Sequence, residues 1–349
     1  MALIYPFLVL LFLLDTRPLY TEKNDNYLSL ETCNAIKVFF VCMVFLKHSC
    51  NYIKAYMGKG IIDNAFLTIP NYIGQLIVVM FLFYSGYVIY EQKKIKGKTY
   101  IKNFLKNRFV PTYLRFAVCV FLYYLLSLII HKNYSLNRIL LSFVAWNTIG
   151  NSAWFMFVTF SLYIFFYLCF NLTKNELQGV VFFSILSLFL LLFLHHFKVA
   201  AWWNTILCFP AGMWWGVLKQ KIDKRLFSNF FSWFIVFICC FLIFIFFHYI
   251  AKKNIFIYLI HYILFAFVVL LFCMKFSFHK SIIFNYLGKH VFSIYMLQRL
   301  VFITLSKTSI VKHPELYLLL SFILTLVIAV LFDYCSRKIE NLVKIKNKI

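Results

Sequence analysis

A lysine and a histidine eleven residues apart, Lys37 and His48, stand inside the apolar stretch NAIKVFFVCMVFLKHSCNY. On a helix, eleven steps of about 100° return to within about 20° of the same face, and they separate the two residues by about 16 Å along the axis. A charged group in hydrocarbon costs roughly 2.5–3.5 kcal/mol at mid-helix, so such residues usually face a cavity or a partner. A neutral imidazole can take a proton from a hydroxyl near pH 7 or accept an acyl group. A cation on the same face, nearer one membrane surface, suggests a path through the protein. The competing reading is a lysine that snorkels to the interface and a satisfied core histidine, and pattern alone weighs the two about equally. The flanking Lys47 and Ser49 point elsewhere on the helix, so no local triad forms. No Ser-His-Asp arrangement follows from the sequence.

Other polar groups are less telling. Gln298 and Arg299 share a later apolar run. Arg299 suits a carboxylate or substrate partner, and interfacial snorkelling equally well. Asp333, near the end of the last run, is expected to cap or pair locally. His248 and His261 sit near run ends, and His195, His196, His279 and His313 in or beside loops; all six are read as non-catalytic. Acidic residues are too sparse for a metal cluster in the membrane, and no HxxxH pair lies in an apolar run, so no metal site is expected. None of the cysteines forms a CxxC pair, and most lie in apolar runs as small buried hydrophobes.

The elements that must position these groups follow from composition. Of 349 residues, 63% are hydrophobic and 13% charged. A soluble domain averages about 45–50% apolar and about 25% charged, and it could not bury this much apolar surface. Lipid removes the need. The apolar runs Ala35–Tyr52, Ile69–Tyr90, Phe109–Ile130, Trp154–Leu172, Val180–His195, Ala200–Leu218, Phe231–Ile250, Ile255–Met274, Ile282–Leu305 and Leu316–Tyr334 are apolar on every side. Barrel strands would alternate, so these are helices. The fold class is all-α: a polytopic integral membrane protein with about ten transmembrane helices. Met1–Leu14 lacks a basic leader, so a signal peptide is not expected. At roughly 20 Å it is short for a core of about 30 Å, and it reads as an eleventh, short or shallow, element. The chain is expected to form one membrane-embedded domain over residues 1–349, with 1–27 a peripheral or short membrane segment.

The net charge of +24 sits mainly in loops. Nucleic acid is excluded as a partner, because no basic surface domain exists to carry it. The loop after the second run holds Lys93, Lys94, Lys96, Lys98, Lys102, Lys106 and Arg108. Placing it in the cytoplasm puts about 21 Lys/Arg inside and about 9 outside. Lys37 then lies near the cytoplasm and His48 toward the outer leaflet.

Several segments, in order, resemble the acyltransferase-3 family of membrane-bound acyltransferases, which includes glycan O-acetylases. LSLETCNAIKVFFVCMVFLKHS resembles the first helix, with a basic residue (Lys37, where Arg is commoner), ten residues, then His48. FLFYSGYVIYEQKK resembles the aromatic-SGY element with Ser85, Gly86 and Tyr87. YIKNFLKNRFVPTYL resembles the basic loop ending in Arg-x-x-Pro, with Arg108 and Pro111. NSAWFMFVTFSLYIFF resembles the Trp-containing span with Trp154 and Tyr163. FPAGMWWG, with Pro210, Gly212 and Gly216, resembles a later small-residue element, and YLGKHVFSIYMLQRLVF the Leu-Gly-x-x-Ser-x-x-Ile-Tyr segment. Gln298 replaces a frequent His, and Leu105 stands where a second Arg is common. A nearby lysine cannot fork onto a phosphate as Arg does.

The resemblance implies an O-acyltransferase, with acetyl-CoA or another acyl-CoA as co-substrate, no bound cofactor, and a carbohydrate or glycolipid acceptor. It also implies residence in a bacterial inner membrane. His48 would be the general base or the acyl carrier. Lys37, Lys102, Lys106, Arg108 and Arg115 would bind the acyl-CoA phosphates. Trp154, Tyr163, Ser85, Gln298 and Arg299 would line the acceptor cavity. A transporter or flippase for a lipid-linked sugar or small anion also suits many spans, but the two halves show no repeat. A glycan polymerase would need a larger outer loop than any between these runs.

Overall fold

The computed structural model describes residues 1–19, 24–226, 230–251, 254–278 and 282–346. His279 and Lys280 lie outside them. A short helix α1 (Ile4–Leu14) leads through strand β1 (Thr16–Pro18) to α2 (Leu30–Ile53), which carries both Lys37 and His48. Ser29 caps α2 by accepting from the Thr32 amide, which satisfies one of the donors left open at a helix start. Then come α3 (Ile61–Ile73), α4 (Leu76–Lys102), a π-helical turn at Leu105–Phe109, α5 (Val110–Ile129), the short α6 (Leu136–Phe143), α7 (Ala153–Leu172) and α8 (Glu176–Phe197). The chain ends in α9 (Cys208–Leu226), α10 (Phe230–Ile250), α11 (Ile255–Lys275), β2 (Phe276–Phe278), α12 (Ile282–Gly288), α13 (Val291–Leu305) and α14 (Pro314–Lys346).

Among the described residues, seven helical stretches are long and apolar enough to cross a membrane: Ile61–Lys102, Leu105–Ile129, α7, α8, α10, α11 and Pro314–Glu340. Three further helices coincide with the remaining expected runs. α2 carries Glu31, Lys37 and Lys47, α9 ends in a charged turn, and α13 is only 15 residues long. Each is packed among the long helices, α9 on α4, and α2 and α13 between α4 and α14. That is where a polar or short helix is tolerated, since protein rather than lipid surrounds it. The chain is thus an all-α integral membrane protein.

Three runs are divided rather than continuous. Ile69–Tyr90 breaks at Gly74, whose φ of 61° only glycine adopts easily. Ile282–Leu305 is split into α12 and α13. Ala200–Leu218 begins with one 3-10 turn, Ala200–Trp202, and its helix starts only at Cys208. The N-terminal element is a docked helix. Tyr5 donates to the Phe66 carbonyl and Phe12 packs on Phe39, while β1 pairs antiparallel with β2. This ribbon ties α1 to the end of α11.

Gly86 and Gly212 set the closest crossing. A Cβ on either would overlap the other helix's backbone, at the Phe209 and Phe83 carbonyls respectively, and Gly216 faces Tyr90. Small residues at such a contact let backbones approach where lipid offers no hydrophobic drive. The SGY and FPAGMWWG segments therefore meet each other.

Candidate functional site: a basic cavity beneath His48

A cavity of about 440 Å³ opens among α2, α4, α5, α7 and α13 at the end of the molecule that bears the Lys93–Arg108 loop. Lys37, Ser85, Arg108, Arg115, Tyr163 and Tyr295 are among its walls. α2 supplies Lys37 from its first half. The π-helical turn carries Arg108, and a π-turn re-aims side chains relative to a regular helix. Pro111, in the first turn of α5, has no amide to satisfy there. An adjoining bay of about 670 Å³ shares Asn107 and Arg108 with the cavity and adds Lys96 and Tyr100.

The cations differ in what they already hold. Arg115 donates from Nε to Glu340 at 2.8 Å, and its Nη1 lies 3.8 Å from Asp333. Its charge is already balanced. Lys37 and Arg108 have no carboxylate partner among the described residues, and Arg108 contacts the Tyr163 hydroxyl. Lys289, an exposed residue of the same wall, also lacks a carboxylate partner among the described residues, so the free positive charge of the cavity is that of Lys37, Arg108 and Lys289. Lys102 and Lys106 are exposed on the loop and line neither space.

His48 lies one layer beyond the cavity. Its ring centre is 6.5 Å from that of Tyr295, and Tyr295 in turn packs edge-on to Phe155 at 5.4 Å, both of them wall residues. The His48 ring is half-buried, and its Nδ1 is enclosed without a hydrogen bond. Lys37 and His48 thus share a helix face as expected, but an aromatic pair closes the space between them. Around His48 are further enclosed polar atoms without protein partners: Arg299 Nε, Asn151 Nδ2 and Gln298 Oε1. Arg299 reaches the Asn151 carbonyl at 3.5 Å, Gln298 donates to the Tyr295 carbonyl, and the charge of Arg299 is within range of the His48 ring. Trp154 packs on Phe155 and does not reach the cavity surface. The cavity thus brings together Lys37, Ser85, Arg108, Arg115 and Tyr163, whereas His48, Gln298 and Arg299 gather behind Tyr295.

Sequence reasoning missed four residues here. Tyr295 is the Tyr of the Ile-Tyr pair and Asn151 opens NSAWF, so both lay within segments already singled out. The other two, His290 and Ser293, lie within the quoted YLGKHVFSIYMLQRLVF segment as well. Asp333, expected to pair locally, instead accepts from the Ser293 hydroxyl at 2.6 Å and meets His290 Nδ1 at 2.6 Å, across two helices. Asp333 is the hub and Ser293 makes no bond to His290, so the cluster is a structural knot and not a nucleophile triad. Only its spacing across α13 and α14 reveals it. No group of three His, Cys, Asp or Glu suited to a metal occurs among the described residues.

The acyltransferase-3 family model, described as an acyltransferase domain, matches residues 31–334. No curated protein and no solved structure matches the chain. The matched region begins at the N-terminus of α2 and runs through Asp333, so it takes in every cavity wall residue but Glu340, together with the His48 layer and the α4–α9 crossing. The chain belongs to the acyltransferase-3 family.

Proposed function

We propose that this membrane acyltransferase moves an acetyl group from acetyl-CoA, bound at the basic end, to a hydroxyl of a cell-surface or exported carbohydrate or glycolipid. One observation carries the reading: a cavity walled by Lys37, Arg108 and Lys289, none with a carboxylate partner among the described residues, leads toward a half-buried histidine whose Nδ1 has no partner. CoA is a polyanion, and Arg108 stands where bay and cavity join, so phosphates in the bay would let the thioester arm extend into the cavity. The bilayer sides follow from the positive-inside rule, with the Lys93–Arg108 loop cytoplasmic.

In the reaction, the Tyr295 ring turns aside and the acceptor oxygen attacks the thioester carbonyl carbon. His48 takes the hydroxyl proton as the new C–O bond forms. The tetrahedral intermediate then collapses, the C–S bond breaks, and the imidazolium returns its proton to the CoA thiolate. Atoms and charges balance without another reactant. Enclosed donors such as Arg299 Nε and Asn151 Nδ2 can hold the acceptor beside the imidazole. Lys102 and Lys106, outside both spaces, act in orienting the loop more than in gripping donor.

Purified protein in nanodiscs, supplied with acetyl-CoA and cell-surface glycan, should release free CoA thiol only when the glycan is present. Lys37→Ala and Arg108→Ala should each raise the KM for acetyl-CoA by about tenfold, with a smaller change in kcat, because each removes a charge-assisted contact to the donor. Movement of glycan across the bilayer without thiol release would contradict the reading and favour a transporter.

A further inference from the structure

At the opposite end from the basic loop, a second cavity of about 270 Å³ lies between α2, α5, α13 and the loops that follow them. Arg299, Lys132 and Lys307 line it, together with Tyr52, Tyr123 and Tyr134. No carboxylate does, among the described residues. Lys132 and Arg138 both stand over the Tyr134 ring, at 5.4 and 5.0 Å, which adds a fourth cation to its rim. These charges run against the orientation signal, which places Lys and Arg on the other side. Membrane insertion therefore does not account for them.

Two further observations point inward from this space. Asn151 is 1% exposed and leaves Nδ2 without a partner, and Arg299 Nε is likewise enclosed and unbonded. Both are donors, so a ligand meeting them must accept. Arg299 belongs at once to the cavity wall and to the layer around His48. An aromatic wall suits the faces of a sugar ring, and a forked guanidinium suits a carboxylate or phosphate.

We infer that this far-end cavity is the docking site for an anionic group on the acceptor, so that the acceptor is an acidic glycan and not a neutral one. The inference rests on the acyl-transfer reading and narrows its substrate class. The anion seats on Arg299, Lys132 and Lys307, and the ring against Tyr52 and Tyr134. A hydroxyl of the same or the neighbouring sugar then faces His48. Carboxylate and phosphate share the required chemistry.

The test uses the full chain in nanodiscs without acyl donor. Calorimetry compares three disaccharides: one neutral, one bearing a glucuronic acid carboxylate, and one bearing a phosphate monoester. At least one acidic probe should bind about tenfold or more tightly than the neutral one. High salt should erode the difference. The combined Lys132→Gln and Lys307→Gln variant, changed at two exposed side chains, should lose several-fold of it. The tighter acidic probe identifies the anion. Equal binding of all three, no binding of any, or a preference unchanged in the double variant overturns the inference. Because binding is read without donor, lost preference with intact acyl transfer refutes only the docking site. Preference retained with no acyl transfer refutes only the reaction.

Discussion

Asp333 is the residue whose role changed most between sequence and structure. It is 2% exposed, is hydrogen-bonded to His290 and Ser293 and forms a longer ion pair with Arg115, while Glu340 holds the same arginine from one side. Removing this carboxylate leaves buried His290 and Ser293 without their partner, while Arg115 keeps only Glu340. Asp333→Ala should destabilise the protein by roughly 3–5 kcal/mol, measured by thermal unfolding in detergent. An unchanged melting temperature would show that the knot is not structural. The knot also explains why Arg115 is a poorer candidate for donor binding than its place beside Pro111 suggested: two acids already hold it. Lys37 and Arg108 were recognisable from sequence because an arginine before a proline and a lysine on the histidine's face are local patterns. The Asp333 knot was not, because its members are 40 and 43 residues apart and meet only when α13 packs on α14.

Helix packing gives the clearest agreement between residue type and position. Gly86 faces Phe209 and Gly212 faces Phe83 where α4 and α9 cross, and a methyl group on either would meet the partner's carbonyl rather than a side chain that could move away. Gly212→Ala should therefore cost about 3 kcal/mol or more and reduce the yield of folded protein. Ser85→Ala, one position from Gly86, should change stability by less than about 0.5 kcal/mol, since its hydroxyl only bonds back to the Phe81 carbonyl. Size-exclusion chromatography and melting curves of the two variants check the pair. Equal behaviour would remove the close-crossing account. Apolar runs showed that these helices exist, but not where they break. Gly74 and the α12–α13 step interrupt runs that hydropathy alone treats as continuous, because a backbone break within protein leaves no mark on apolarity.

Across the whole molecule, composition settles the solvent and little else. Helix α10 buries only Trp233 and Phe244 among its described side chains, on the face that packs on α11, and offers Phe, Ile and Leu outward around the rest of its circumference, as a helix facing lipid should. Charge is distributed unequally: the basic end holds the larger cavity and bay, while a smaller group of cations at the far end lines the second space. His48 lies between these two regions, behind Tyr295 on one side and beside Arg299 on the other. This placement makes it the point where a donor and an acceptor arriving from opposite faces can meet. General-base catalysis contributes about 10²–10⁴-fold, so its loss should reduce transfer to a trace. The most direct measurement compares surface-glycan mass spectra from cells expressing the native chain or His48→Ala at equal membrane abundance. The account predicts the mass increment of one acetyl group per modified sugar with the native chain and its near-complete loss in the variant. Equal acetylation in both would show that His48 is not the catalyst.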